Sequence, residues 1–543
     1  MSVNIKKAGS WLSLTVMTFV LSVRTDSYIT PFNMIAGVAI ASCIWGWLVF
    51  SDKICVSYKV ENRKTTIIAI ISIIGTIIWL WNDIEFFLLK YNNYIQAVFI
   101  DRFGGVNRIS CVRVIACILF ALSFYGAFLM INQMVSVCVS GIRYFAETSD
   151  KIEMFYLILW TLFCGGFLIV VYTGSIAFYS GGVYNILYTY DSSIVYNDNV
   201  FMLIGPFEND IRQSLFGFFS LPISLPANFL SIVFPFKYSY AYFLQLFQDI
   251  LIGAGIVLIS RMLKFDGNRK IAGIVFFSVM CETVLFSLLI EQYVILVFWL
   301  IVSIYCIVNK IGDRELCAVA AVGTSPTNSL MLIWEYKNRE SFKSFFMYAI
   351  RSFFKYIGFL ICLGQLGLVL NFYNNIMFLM GDAAGGIGYL DRLKQYIYFV
   401  RSCFIGPAST ITTWDAWSEG PVIRMNVVGG YSKVGILILI IIIISWLASN
   451  KDIFANICFS WIIFSFLFMV GIGYCAASND MFLFVHLFGW AMGAFLLIGI
   501  SKLLKGDKAF VIVVFSLSVI MLIYNVDYFK MLIEFAVTYY PLL

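Results

Sequence analysis

Long apolar runs are the feature of this chain that most restricts its fold. Of its 543 residues, 61% are hydrophobic and only 12% are charged, and the mean hydropathy is +0.91. A water-soluble core cannot absorb so much apolar surface, whereas a membrane-spanning helix needs about 20 mostly apolar residues. We therefore predict an all-α polytopic membrane protein with about 13 transmembrane helices. The expected spans are 8–24, 31–50, 66–82, 111–134, 154–178, 239–260, 271–289, 292–309, 350–371, 433–448, 453–475, 481–501 and 509–526.

Lysine and arginine residues predict how these spans are oriented. Cationic stretches begin the chain and recur at 53–64, 261–270, 310–343 and 502–508. Thirteen spans that start from a cytoplasmic N-terminus place all of these stretches on one side, as the positive-inside rule requires. The C-terminus is then expected outside a plasma membrane. The first apolar run follows two lysines but has no small-residue cleavage site, so we interpret it as a membrane helix and not as a signal peptide.

Two apolar stretches are not expected to span. The first, 214–234, contains Pro222 and Pro226, which interrupt a straight helix, and counting it as a span would move 261–270 to the outside. We interpret it as a re-entrant or interfacial element at the outer side, bordering a cavity. The stretch 318–334 is interpreted as a similar element on the cytoplasmic side.

Three long connectors are then expected outside, near 81–110 and over two outer loops at 179–238 and 371–432. Long ordered loops in compact proteins are usually functional. We divide the chain into an N-terminal four-helix membrane module, 1–150, and a transmembrane core with the two outer loops, 151–543.

The first of these two outer loops is rich in carboxylate side chains. The stretch "YDSSIVYNDNVFMLIGPFENDIRQ" contains Asp191, Asp198, Glu208 and Asp210. Carboxylates at the edge of a cavity can act as a general base or bind a divalent cation. The residues also have structural interpretations, because Asp191 can form an Asx-turn and Asp210 can cap a helix that begins at the next residue.

Several classes of protein are excluded by composition. The 13 cysteines form no CxxC pair, so no disulfide framework or zinc knuckle is indicated. Neither a Walker A loop nor a dinucleotide fingerprint is present, and no polar stretch is long enough for a soluble nucleotide-binding domain. We expect membrane lipids as partners and no nucleic acid.

The order of these elements resembles the GT-C superfamily of integral membrane glycosyltransferases. The residues that carry the resemblance are "TYDSS", 189–193, and "FENDIRQ", 207–213, followed by an apolar element and further spans. The family's acidic loop usually follows its first span. Here four spans precede the loop, so the first 150 residues would be an added module.

The resemblance implies a fold, a reaction and partners. It implies a GT-C-like arrangement in which a polyprenyl-phosphate sugar is the donor and a cell-envelope glycan or glycolipid is the acceptor. Transfer would proceed with inversion, with Asp191 or the pair of Glu208 and Asp210 as the base that deprotonates the acceptor hydroxyl. Some members of the family hold a divalent cation, Mg or Mn, and here Glu208 and Asp210 would be its ligands.

Further side chains are candidates for binding the substrates. Arginine and lysine at the outer interface can bind a lipid phosphate, aromatic rings can stack on sugars, and a histidine within a span is a functional candidate. Each also has a structural interpretation: a solvated loop face, an interfacial anchor, or for the histidine a bond to a neighbouring helix. The candidates are Tyr190, Arg212, Asp382, Arg392, Lys394, Arg401, Trp414 and His486.

Two alternative functions fit the same pattern of spans. A lipid-linked oligosaccharide flippase or another transporter would carry buried charges at mid-membrane and often an internal repeat, and no clear repeat is present. An envelope polysaccharide polymerase or ligase would depend on arginines of the outer loop, such as Arg392, Arg401 and Arg424.

Overall fold

The structure is a computed structural model, and it describes residues 2–25, 31–53, 65–80, 107–179, 186–188, 195–196, 200–202, 213–337, 341–370, 387–412, 420–427, 430–449, 452–474, 480–504 and 506–542. Its helices are α1 Ser2–Thr25, α2 Pro31–Phe50, α3 Thr65–Leu80, α4 Asn107–Thr148, α5 Lys151–Gly174, α6 Phe216–Val233, α7 Ser239–Leu263, α8 Gly267–Ser278, α9 Cys281–Phe286, α10 Tyr293–Asn309, α11 Arg314–Thr324, α12 Met331–Lys337, α13 Phe342–Cys362, α14 Leu366–Leu370, α15 Tyr389–Ser402, α16 Lys433–Ser449, α17 Ile453–Phe466, α18 Val485–Leu503 and α19 Asp507–Tyr539. Two short antiparallel strands, β1 Ser409–Thr412 and β2 Val422–Met425, lie between α15 and α16.

The prediction of an all-α polytopic membrane protein is confirmed at this level. Within the described residues, nine helices are long and apolar enough to cross a membrane, and three shorter apolar helices accompany them. The number of 13 spans stays a prediction. Two predicted spans are wrong as single helices. The span 271–289 forms α8 and α9 with a break at Val279 and Met280, and the span 350–371 is divided between α13, which ends at Cys362, and α14. Hydropathy alone does not reveal these breaks, since both sides of each are apolar.

The expectation that two prolines interrupt the element at 214–234 is also wrong. Helix α6 runs continuously through Pro222 and Pro226. The prolines lie four residues apart, so the hydrogen bonds that they remove fall on one face of the helix. The side chains of Ser220 and Ser224 donate to the carbonyl of Phe201 at 2.6 and 2.9 Å, which fastens α6 to the preceding loop.

The stretch at 318–334 forms a helical hairpin. Helix α11 leads to a 3-10 turn, Pro326–Leu330, and α12 returns from it. The two open ends of the hairpin are joined by an ion pair between Arg314 and the fully buried Glu335, at 2.7 Å. The tip is held inside the protein, because the amide of Asn328 donates to the carbonyls of Leu296 and Ala321.

The helices pack around two hydrophobic cores. The larger core runs from α5 to α19, and the smaller joins residues of α1 to α4 with α6, α11, α13 and α14. The first four helices therefore share a core with later elements. The domain boundary at residue 150 stays a prediction.

Cationic residues meet at one end of the molecule. Glu153 at the start of α5 is buried and binds Arg261 of α7 at 2.7 Å and Lys270 of α8 at 3.0 Å. Arg269 contacts Ser501 at the end of α18 and Asp507 at the start of α19. The connectors at 263–267 and 503–507 thus lie at the same end, as the charge pattern predicts.

The opposite end of α5 contacts the end of the chain. The amide of Ile176 donates to the carbonyl of Tyr540 at 3.1 Å, and the Tyr540 hydroxyl donates to the carbonyl of Pro421 at 2.7 Å. Because α5 and α19 each connect the two ends, the last described residues lie away from the cationic connectors.

Candidate functional site

The break between α8 and α9 meets the end of α15 inside the molecule. The amides of Cys281 and Glu282 donate to the carbonyls of Phe404 and Cys403, at 3.1 and 3.4 Å. The side chain of Asn525 on α19 reinforces this crossing, since its amide donates to the carbonyls of Val279 and Phe404. A break inside an apolar helix is stable only where protein groups satisfy its backbone, and these contacts do so.

A buried ionisable pair lies at this break. Oε2 of Glu282 and Nδ1 of His486 are hydrogen-bonded at 2.8 Å, and both side chains are buried. The imidazole also stacks on Phe286, with ring centroids 4.6 Å apart. Gly489, one turn further along α18, leaves room for the carboxyl group: a Cβ at that position would lie 2.8 Å from Cδ of Glu282.

A small pocket with room for about one water molecule lies beside the pair. Residues of α7 and α10 line most of it, and Glu282, Thr283 and His486 supply polar groups to its wall.

Helix α15 carries three of the predicted cationic residues. Arg401 lies in its last turn, and the carbonyl of Phe404, three residues further on, accepts from the Cys281 amide. Arg392, near the other end of the helix, donates to the carbonyl of Ile387 at 2.8 Å, and Lys394 is half-buried near that end. None of the three has a carboxylate partner among the described residues. Arginine and lysine side chains can bind an anionic group.

The two predicted outer loops are joined to each other. Leu187 pairs in parallel with Ile423 on β2, and the amide of Tyr188 donates to the Ile423 carbonyl at 2.9 Å. The Tyr188 hydroxyl is hydrogen-bonded to Ser409, and its ring packs edge-on against Phe482 at 4.8 Å. Tyr188 precedes Asp191 by three residues, and Phe482 precedes His486 by four.

Four of the candidate site residues lie in the described part of the chain. The structure brings Arg401 and His486 to one crossing and places Arg392 and Lys394 on the helix that leads to it. The interpretation of His486 as bonded to a neighbouring helix is confirmed, with Glu282 as the partner. The other candidates lie outside the described residues: Tyr190, Asp191, Glu208, Asp210, Arg212, Asp382 and Trp414.

The sequence interpretation did not single out five acids that the structure buries: Glu153, Asp249, Glu282, Glu291 and Glu335. Glu282 and Asp249 lie inside the apolar runs that form α9 and α7, and both are almost fully buried. The signal was present, since an ionisable residue inside an apolar run is a functional candidate by its position. The sequence interpretation favoured the acidic loop because several of its carboxylates lie close together in the chain.

A divalent metal site is not found in the described part of the chain, which contains no group of three or more His, Cys, Asp and Glu side chains near one another. The predicted ligands, Glu208 and Asp210, are outside that part. The possible Mg or Mn cofactor stays a prediction.

Comparison of the chain with protein-family models, with curated proteins and with solved structures finds no match.

Proposed function

We propose that this chain is an integral membrane glycosyltransferase that transfers a sugar from a polyprenyl-phosphate donor to a cell-envelope glycan or glycolipid. The observation that carries the proposal is helix α15. Its cations Arg392, Lys394 and Arg401 lack carboxylate partners in the described residues, and its last turn meets the break that holds Glu282 and His486.

The proposed chemistry uses this arrangement at the donor. A lipid phosphate is the leaving group, and negative charge develops on it as the bond to the sugar breaks. Arg401 is suited to bind that phosphate, because a guanidinium presents several donors in a planar fork.

The acceptor side of the proposal rests on the acidic loop. Asp191, or the pair of Glu208 and Asp210, is proposed as the base that deprotonates the acceptor hydroxyl. Tyr188 supports this assignment, because it fastens the start of that loop to Ser409 of the second outer loop and to Phe482 ahead of α18.

A transporter of lipid-linked oligosaccharides is the second candidate. The observation that favours it is the discontinuous segment of α8 and α9, whose buried Glu282 is paired with His486 of α18. Broken helices with buried ionisable groups are typical of secondary transporters. Movement of a lipid-linked glycan across a vesicle membrane without any covalent product would favour this function.

The test of the proposal is transfer by membranes that contain the full chain and its natural acceptors. Membranes are given radiolabelled polyprenyl-phosphate hexoses, and sugar incorporated into lipid and polymer fractions is counted. Asp191→Asn, Glu208→Gln and Asp210→Asn are compared separately, and we expect about a 100-fold or larger loss in at least one, because a general base contributes roughly 10²–10⁴-fold. Arg401→Ala is expected to weaken use of the donor by about 10-fold or more.

Arg143→Gln is the matched control for the loss of an arginine. Arg143 is exposed on α4 and pairs with Glu147, so its replacement should leave transfer unchanged. Unchanged incorporation in all three carboxylate variants, each present at normal level in the membrane, would contradict the proposal.

A further inference from the structure

Helix α7 carries a buried polar face within an otherwise apolar segment. Gln245, Gln248 and Asp249 are three and four residues apart, so they share one face of the helix. None of the three has any solvent-exposed surface. Ionised carboxylates are very costly in such surroundings unless another charge or several hydrogen bonds compensate them.

The compensation that Asp249 receives is incomplete. Its Oδ1 accepts a hydrogen bond from the Gln245 amide at 3.1 Å, and the same amide nitrogen donates to the carbonyl of Phe286 at 2.8 Å. Among the described residues, that amide is the only side chain that donates to the carboxyl group of Asp249, and Oδ2 has no partner there.

The polar atoms left over on this face are mainly oxygens. On Gln245, Gln248, Asp249 and Gln292, the buried side-chain atoms with no partner among the described residues are Oε1 of Gln245, both terminal atoms of Gln248, Oδ2 of Asp249 and Oε1 of Gln292. Four of these atoms are oxygens and one is nitrogen. Because both terminal atoms of Gln248 lack partners, exchanging its amide oxygen and nitrogen does not alter the balance.

Gln292 lies at a similar height to the polar face of α7. Gln245 donates to the carbonyl of Phe286 at the end of α9, and further along α7 the Cβ position of Gly255 lies 3.4 Å from Ile301 of α10. The chain after α9 therefore runs in the same direction as α7. Position 292 is nine residues before Ile301, and position 246 is nine residues before Gly255, which places the segment that joins α9 to α10 level with the polar part of α7.

We propose that Gln245, Gln248, Asp249 and Gln292, named here the α7 cluster, bind a monovalent metal cation. Hard cations prefer carboxylate and amide oxygens, which are the groups that the cluster leaves over. An excess of acceptors over donors fits an ion that all of them can coordinate. The carboxyl group of Asp249, which would give up its proton when the ion binds, can balance one positive charge.

The site goes beyond the proposed reaction and does not depend on it. A bound cation would neutralise Asp249 and hold the segment between α9 and α10 against α7. Unwound segments beside broken helices supply cation ligands in other membrane proteins. The α7 cluster lies at the outer side of the small pocket, since Ile252, one turn further along α7, lines it.

The test is cation binding by the full-length protein in lipid nanodiscs, with Na⁺ and K⁺ as probes. Thermal unfolding is followed while NaCl or KCl replaces choline chloride at constant ionic strength, and binding of ²²Na⁺ is measured directly. We expect saturable stabilisation by Na⁺ or K⁺. Asp249→Asn should raise the half-saturating concentration by roughly 10-fold or more, since a charged ligand is lost. Gln248→Leu should raise it by a smaller factor.

Glu335→Gln is the matched control. Glu335 is also fully buried, but its charge is paired with Arg314. This variant is expected to be less stable and to keep the wild-type half-saturating concentration.

Four outcomes would overturn the site. The first is no saturable effect of Na⁺ or K⁺ on the wild-type protein, and the second is an unchanged half-saturating concentration in Asp249→Asn. The third is saturation by Mg²⁺ or Ca²⁺ alone, and the fourth is a half-saturating concentration that rises as much in Glu335→Gln as in Asp249→Asn. If Asp249→Asn does not fold, Gln248→Leu and Gln292→Leu take its place, and unchanged affinity in both would overturn it. If the wild-type protein binds the cation but transfers no sugar, only the proposed function is contradicted.

Discussion

At the scale of single residues, the pair of Glu282 and His486 joins segments 204 positions apart in the chain. The bond satisfies a buried carboxyl group, and stacking on Phe286 fixes the plane of the imidazole. Gly489 is required beside the pair, because any side chain there would overlap the carboxyl group of Glu282. The geometry explains why a lone histidine is tolerated in an apolar span.

Replacing His486 should reduce the stability of the protein, because Glu282 then has no hydrogen-bond donor. His486→Phe keeps an aromatic ring against Phe286 but leaves Glu282 without its donor, so the free energy of unfolding should fall by about 1–3 kcal/mol. The double variant Glu282→Leu/His486→Phe should recover most of this loss, because no buried polar group stays unsatisfied. The measurement is reversible unfolding in mixed micelles of both single variants and of the double variant. A loss in the double variant equal to the sum of the two single losses would contradict an interaction between Glu282 and His486.

At the scale of elements, the helical hairpin of α11 and α12 contacts the start of α6. The amide of Leu215 donates to the carbonyl of Gly323 at 2.8 Å, and a Cβ on Gly323 would lie 2.7 Å from Cδ1 of Leu215. Ser214 is hydrogen-bonded to Tyr356 at the same place. The absence of a side chain at Gly323 therefore permits the contact of α11 with the start of α6.

Gly323→Ala should separate these two elements. We expect a loss of about 1–3 kcal/mol in stability, as for other overpacked cores. Gly358→Ala on α13 is the matched control, since nothing lies within 4 Å of its Cβ position, and it should be neutral or slightly stabilising. Thermal unfolding of both variants in the same detergent checks the prediction, which fails if the two behave alike.

At the scale of the whole molecule, ion pairs gather at one end among the described residues. Glu153, Arg261 and Lys270 form a buried ion-pair network at one end, where the connector with Arg269 and Asp507 also lies. The carboxyl group of Asp150 belongs to this end. Burial raises its pKa, but hydrogen bonds from Lys270 and from the backbone outweigh burial, and the pKa stays below its usual value. The opposite end holds the joined outer loops and Tyr540.

This polarity predicts the orientation of the chain. An epitope inserted between residues 505 and 506 should be detected by antibody only after the membrane is permeabilised, because cationic connectors stay inside. An epitope fused after the last residue should be detected on intact spheroplasts. Detection of both epitopes under the same condition would contradict the orientation and the placement of the outer loops.

The sequence by itself determined the membrane class and the grouping of cationic connectors, because hydropathy and charge are summed over neighbouring residues. It also singled out His486 and Arg401, which are conspicuous in their local surroundings. Only the tertiary structure decided that 271–289 breaks at Met280, that α6 continues through its prolines, and that Glu282 is the partner of His486. Such features depend on contacts between distant segments, which satisfy a broken backbone or a buried charge and leave no local periodicity to detect.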